Sequence, residues 1–198
     1  MKKKSKLVFK IGINDLTELV TLNGKNLPFY LCWKDMLRRC YDNKCHIRSP
    51  TYIGCSVCKE WLLLSNFKIW YDLNYIEGFA LDKDILYPGN KVYSPETARF
   101  VPSYLNSLLT DHRNDRGKLP LGIHAAKPNK NGRINTTYPA RCMNGSGHRI
   151  SKTFKTISEA KAWYSITKRI IVKKQATKAF LDNAIKTDVY LALVRREW

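Results

Sequence analysis

Apolar positions along this chain switch between helical and strand spacing, which predicts a mixed α+β fold. A first helix is expected from Pro28 to Tyr41, where Phe29, Tyr30, Trp33, Met36, Leu37, Cys40 and Tyr41 recur at helical intervals. Pro28 suits a first turn, and Asp42-Asn43 ends the pattern. Residues 1–27 read as a basic leader with one short strand, LVFKIGI. A polar loop with Pro50 leads into the tight stretch YIGCSVCKEW. A second helix is expected near Ser65, a good capping residue, with Phe67, Trp70 and Tyr71 on one face and Gly78 closing the region. FALDKDIL reads as a strand entering the turn YPGN, Ala98–Val101 as a second strand, and Pro102–Leu109 as a helix.

The charged segment TDHRNDRGKLP reads as a linker, centred on 111–118. Beyond it, LPLGIHAA, TYPARCMN and HRISKTF predict three strands of an antiparallel meander, separated by the turn-rich NKNGR and NGSG. A helix follows from about Ser158. Thr156 and Glu159 have capping-box spacing, and Ile157, Ala160, Tyr164 and Ile171 supply its apolar contacts. A last helix is expected over roughly 177–196. The expected organisation is a leader over 1–27, a first domain over 28–110, the linker, a sheet-and-helix domain over 119–174, and a C-terminal helix within 175–198.

Composition sharpens this picture. The chain has 198 residues, 44% of them hydrophobic and 12% aromatic, so it can bury a core and is not a disordered polymer. No window has the apolar length of a membrane span, and Lys10 and Asp15 interrupt the N-terminus too early for a signal peptide. A cytoplasmic protein without a membrane partner is expected. Thirty-five Lys and Arg against sixteen Asp and Glu give a net charge of +19, which points to a polyanionic partner. From Arg113 to Lys174 there are fifteen Lys and Arg against two acids. Arg141, Arg149, Lys152 and Lys155 are expected to line one face of the sheet, with Arg133 in the preceding turn. Arginine can pair with guanine edges, while lysine positions phosphates. The plainer readings of this charge are a solvated surface or an RNA-binding, ribosome-like partner.

Four of the six cysteines lie close together: Cys40, Cys45, Cys55 and Cys58. Cys55 and Cys58 form a Cys-x-x-Cys turn that can present two thiolates to Zn²⁺, with Cys40 and Cys45 (or His46 in place of Cys45) as the second pair. The alternative is that Cys40 and Cys58 are small core residues.

Three runs, YLCWKDMLRRCY, YIGCSVCKEWLLLSNFKIW and LDKDILYPGNKVYSPETARFVPSYLN, resemble phage and mobile-element proteins of the HNH and homing-endonuclease family. The resemblance covers about residues 30–109. It implies a ββα-metal domain with flanking helices, binding Mg²⁺ or Mn²⁺ and hydrolysing DNA phosphodiesters. By position, Asp82 matches the strand carboxylate and Asn106 the helix ligand. Lys83 stands where the family has its histidine base, and Thr97 where it has its middle asparagine. Asp84 is a replacement base or second ligand. Further on, Gly122-Ile123, Tyr138, Ala140-Arg141, Gly145, Phe154, Thr156, Glu159-Ala160 and Tyr164 follow the order of the APETALA2-type DNA-binding domain, over about 119–173. Lys152-Thr153 depart from that pattern. This second resemblance implies a three-stranded antiparallel sheet packed on a helix, gripping double-stranded DNA. Together they imply a phage protein of the infected host cell. A non-enzymatic DNA-binding or host-takeover regulator is the alternative.

Overall fold

The structure, a computed structural model, describes residues 7–109, 119–126 and 136–198. The chain divides into two compact units, Met1–Phe100 and Val101–Trp198. Among the described residues there are six α-helices and four two-stranded sheets, an α+β composition. No helix of the described residues is long and apolar enough to cross a membrane. The expected linker over 111–118 lies outside the described residues.

The first unit is built on helix α1 (Pro28–Tyr41), which follows a short ribbon of strands β1 (Thr21–Leu22) and β2 (Lys25–Asn26). Pro28 presets the backbone of its first turn. Phe29, Trp33, Met36, Leu37 and Cys40 form one buried stripe. Asp42 ends α1 in extended backbone, and its side chain accepts from the Lys44 amide to start α2 (Asn43–Arg48). Strand β3 (Ser56–Val57) and helix α3 (Leu64–Asn74) follow, and α3 buries Leu64, Phe67 and Tyr71. The Trp33 indole donates to the Trp61 carbonyl at 2.7 Å, so two large aromatics share one core with no unpaired N–H between them.

Residues 7–27 are part of this core rather than a separate leader. Phe9 and Lys10 take left-handed backbone, so Val8 folds back to bridge Gly12 and no LVFKIGI strand forms. Ile13 bonds Leu62 and Leu64 through its own amide and carbonyl. Asp15 accepts from the Ser65 amide at 2.9 Å, which caps α3 from outside the helix.

Strand β4 (Phe79–Asp82) neighbours β6 (Arg99–Pro102), and β3 pairs in parallel with β5 (Val92–Tyr93). Strand β6 begins in the first unit and ends in the second. It runs directly into helix α4 (Ser103–Leu109), which buries Leu105 and Leu108.

In the second unit, β7 (Tyr138–Met143) and β8 (Arg149–Phe154) pair antiparallel over six residues each. The expected third strand is reduced to one bridge, Ile123 to Ala140, because Gly122 at φ +74° turns the chain there. Helix α5 (Ile157–Leu181) covers the sheet with Ala160, Tyr164, Ile171 and Val172. Thr156 and Glu159 exchange both bonds of the capping box, each at 3.2 Å.

The expected break near 175 is absent, and α5 runs on to Leu181. Asn183 then takes φ +55°, with its amide on the Phe180 carbonyl and the Ala184 amide on the Ala179 carbonyl. This is a Schellman ending with asparagine in the usual glycine role. Helix α6 (Thr187–Arg195) folds back on α5, where Phe180 stacks on Tyr190 at 4.7 Å.

A side chain at Gly122 would put its Cβ 2.0 Å from the Tyr164 ring in backbone that L-residues avoid. Gly122→Ala is expected to destabilise the second unit by about 3 kcal/mol or more. Thr156→Ala, which loses only the cap, is expected to cost about 1 kcal/mol. Urea unfolding followed by circular dichroism measures both.

Candidate functional site

Two groups of side chains, one in each unit, have chemistry beyond the needs of the core. In the first unit, β4 ends at Asp82. Its Oδ1 accepts from the Asp84 amide at 2.8 Å and the Ile85 amide at 2.7 Å, which turns the chain and buries Ile85. The Asp84 carboxyl lies beside it. Burial, reinforced by the Asp84 charge and opposed by the two amides, pushes Asp82 up to about 6.

Lys83, between them, points into the core with 6% of its surface exposed. Its Nζ donates to Asp84 Oδ2 at 3.0 Å and to the Asn90 carbonyl at 2.8 Å. Asn90 returns the contact through Nδ2 to the Lys83 and Val92 carbonyls, each at 2.7 Å. The YPGN turn is therefore clamped onto the end of β4. An ammonium engaged as a donor to a carboxylate has no lone pair to offer, so Lys83 is a clamp and not a base. Thr97 is also a loop tie, donating to the Val92 carbonyl at 2.7 Å. Asn106 lies half-buried on α4, in the second unit.

Arg39 escaped the sequence reading. From the last turn of α1 it pairs with Asp35 at 2.5 Å and reaches the Leu81 carbonyl at 3.5 Å and the Tyr93 hydroxyl at 3.4 Å. It ties α1 to the strand that carries Asp82. Its only sequence signal was its place in a basic last turn.

The four clustered cysteines are free thiols. Cys40 is part of the buried stripe of α1, and burial, with Cys55 nearby, pushes its thiol up to about 12. Cys45 accepts from Arg38 at 3.5 Å, and Cys55 faces the Thr51 carbonyl at 3.9 Å. Cys58 is half-buried, with Glu60 and Glu96 as its electrostatic neighbours. His46 Nε2 lies 2.9 Å from the Arg39 carbonyl, which fixes the proton on that nitrogen. Among the described residues no group of three or more His, Cys, Asp or Glu side chains is gathered to hold a metal ion.

In the second unit, the register of β7 and β8 sorts the basic residues by face. Ala140 and Cys142 are buried, so Arg141 and Met143 turn to the other side, opposite Ser151 and Arg149. Lys152 pairs with Ala140 and so belongs to the inner side, with its ammonium 5.5 Å from the Phe154 ring. The expectation that Arg141, Arg149, Lys152 and Lys155 share one face is corrected by this register. Lys155 is exposed just beyond the strand end, and Arg133 lies outside the described residues.

His124 joins Arg141 and Arg149. Its amide bonds the Pro139 carbonyl at 3.0 Å. Burial, then the charges of both arginines, pushes its ring below the ordinary histidine value. Its neutral ring can both donate and accept. Neither arginine has an ion-pair partner among the described residues. The second unit holds nineteen Lys and Arg against six Asp and Glu, so it carries most of the chain's surplus charge.

A scan against protein-family models, a search of curated proteins and a search of solved structures each return no match.

In metal-free protein, the Asp82 carboxyl is expected to titrate near 6 by NMR. Asp84→Asn should lower that midpoint yet leave it above 3.8, because burial is the larger cause. The folded value lies above the unfolded one, so ionising Asp82 works against folding. Its contribution is fully favourable below 3.8 and is lost as pH rises to about 6. Urea midpoints between those pH values should fall for the natural chain and fall less for Asp84→Asn.

Proposed function

We propose that this protein binds double-stranded DNA through the outer face of the β7–β8 hairpin and cleaves phosphodiester bonds at a divalent-metal site centred on Asp82. The observation that carries the binding reading is the trio His124, Arg141 and Arg149 on one sheet face, with no acidic partner for either arginine among the described residues. Paired strands hold these side chains on a rigid base, and two-stranded ribbons fit the major groove. Arginine can take guanine edges with two hydrogen bonds, and Lys155, exposed just beyond the strand end, can take a phosphate.

The cleavage reading rests on the Asp82–Asp84 pair and on the order strand, strand, helix through β4, β6 and α4, the order of the finger that the sequence resembles. Two adjacent carboxyls, one pushed up by burial and then by the other's charge, form a hard-oxygen donor set of the kind that suits Mg²⁺ or Mn²⁺. Asp82 would hold the ion. Such an ion stabilises the oxygen that leaves the cleaved phosphodiester. In this reading Asp84 is the carboxylate closest to hand for taking a proton from water. Its tie to Lys83 holds it in place.

A second reading, DNA binding without cleavage, draws on Lys83. A clamped amine occupies the position where the family resemblance has its base.

Gel-shift titration at low salt separates binding from non-binding. Arg141→Ala with Arg149→Ala is expected to weaken duplex affinity by roughly tenfold or more and to reduce the salt slope by about 2. Unchanged binding in the double variant removes the hairpin from the reading, and preference for structured RNA over duplex at fixed salt replaces DNA by RNA. Plasmid nicking with Mg²⁺ or Mn²⁺ tests the rest. Loss of nicking in Asp82→Ala is the expected result. Duplex binding with no nicking in any metal establishes the second reading.

A further inference from the structure

Helix α5 has two faces, and the fold uses only one of them. Tyr164, Ile171, Val172 and Ala176 lie on the buried side, and the helix packs on β7, β8, α4 and α6. The opposite side is turned to solvent. Ile166 and Ile170 stand one turn apart there, each with 62% of its surface exposed. Leu181 prolongs the line about three turns further on, at 73%. Isoleucine is a weaker helix former than alanine or lysine, so helix propensity gives no reason for it at such positions. Single exposed apolar residues are ordinary, but three on one line of one helix make a seam.

Cations edge this seam. Arg169 and Lys173 follow one edge and Lys174 the other, and all three are exposed. None has a carboxylate within ion-pair range among the described residues. The sequence has no Asp or Glu between Glu159 and Asp182. A partner that fits must therefore bring apolar side chains for the seam and carboxylates for its edges. Three other occupants fit less well. A second copy of α5 would set these cations against themselves. A phosphate backbone would satisfy the cations and offer the isoleucines nothing apolar. A lipid surface takes helices with a broad apolar face, whereas this seam is one residue wide.

We propose that the outward face of α5 docks an acidic amphipathic helix of a partner protein. The partner's apolar side chains pack on Ile166 and Ile170, and its carboxylates meet Arg169, Lys173 and Lys174. Two helices packed along such a seam bury the isoleucines and pair the cations in one contact. Ala140 and Cys142, on the buried side of β7, lie beneath the other face of α5, whereas Arg141 is on the far side of the sheet. The docking face is thus distinct from the hairpin face and does not depend on its function.

Fluorescence anisotropy of a labelled peptide titrated with the full chain tests this. The probe is a designed helical peptide of about three heptads, with leucine along one seam and glutamate on both its edges. A second peptide keeps the glutamates and has glutamine in the seam. At physiological salt the natural chain should bind the leucine probe about tenfold or more tightly than the glutamine probe. Ile166→Gln with Ile170→Gln should abolish that preference. Ile166→Ala with Ile170→Ala, which favours the helix, is the deciding variant should the glutamine pair fail to fold. Arg169→Glu with Lys173→Glu should weaken binding of the leucine probe by about tenfold or more. Arg141→Ala with Arg149→Ala should leave it unchanged. Equal affinity for the two probes, or a leucine preference that survives loss of the isoleucines, overturns the proposal. Three further results overturn it when neither peptide binds. Binding to phosphatidylserine–phosphatidylcholine vesicles that the isoleucine variant loses assigns the face to a membrane. Self-association in sedimentation that the same variant abolishes assigns it to a second copy. Duplex binding lost in Arg169→Glu with Lys173→Glu assigns it to nucleic acid.

Discussion

The two-residue period of strand β7 governs the second unit. Ala140 and Cys142 can be buried under α5 only if Arg141 turns away from it. A slip of one residue would drive a guanidinium into the core and expose the alanine, so the register is strongly fixed. The basic face is therefore a consequence of packing on its opposite side. Gly122, the capping box at Thr156 and the Asn183 ending all serve that packing. They fix where α5 starts and stops and how closely Tyr164 approaches the sheet. Side chains presented on such a base lose less freedom on contact than the same residues in a loop.

In the first unit the corresponding constraint is a buried ammonium. Burying Lys83 is tolerable only because Asp84 and the Asn90 carbonyl meet it. That commitment has consequences along the loop. Asp84 is drawn toward the amine, the YPGN turn is closed over it, and Asp82 is left to turn the chain with one oxygen. The raised Asp82 carboxyl follows from the same arrangement, since burial and a neighbouring carboxyl both disfavour its charge. One lysine thus holds in place the loop that carries both carboxyls.

What was legible in the sequence was whatever rests on spacing and on strong local signals. Helix α1 was read to its ends because Pro28 and the apolar stripe agree. The capping box at Thr156 and the β7–β8 hairpin were read for the same reason. The rest depended on backbone states and distant partners that spacing does not encode. Phe9, Lys10 and Asn183 adopt left-handed backbone without being glycine, so the leader strand and the α5 break were misplaced. Lys152 was assigned to the wrong face because facing follows from register, and register from pairing with Ala140. His124 and Arg39 were missed because each acts through a partner far along the chain. The roles of Asp82, Asp84 and Asn106 came from a family pattern, and the geometry adds a reason to treat Lys83 differently from its neighbours.

Net charge alone does not decide what a basic protein can hold; the pairing of each cation does. In the first unit Arg38 and Arg39 meet Asp35, Lys68 meets Glu18 and Asp72, and Lys83 meets Asp84. A cation already beside a carboxylate must give up that contact, or share it, before it can take a phosphate. Exposed pairs gain little net stability, so their effect is to neutralise the surface locally rather than to strengthen the fold. Arg141 and Arg149 have no such neighbour among the described residues, and each raises the potential felt by the other and by His124. Exchanging water and condensed counterions for a phosphate backbone is favourable only where positive potential is left uncancelled in this way. The second unit therefore differs from the first less in how many cations it has than in how few acids stand among them.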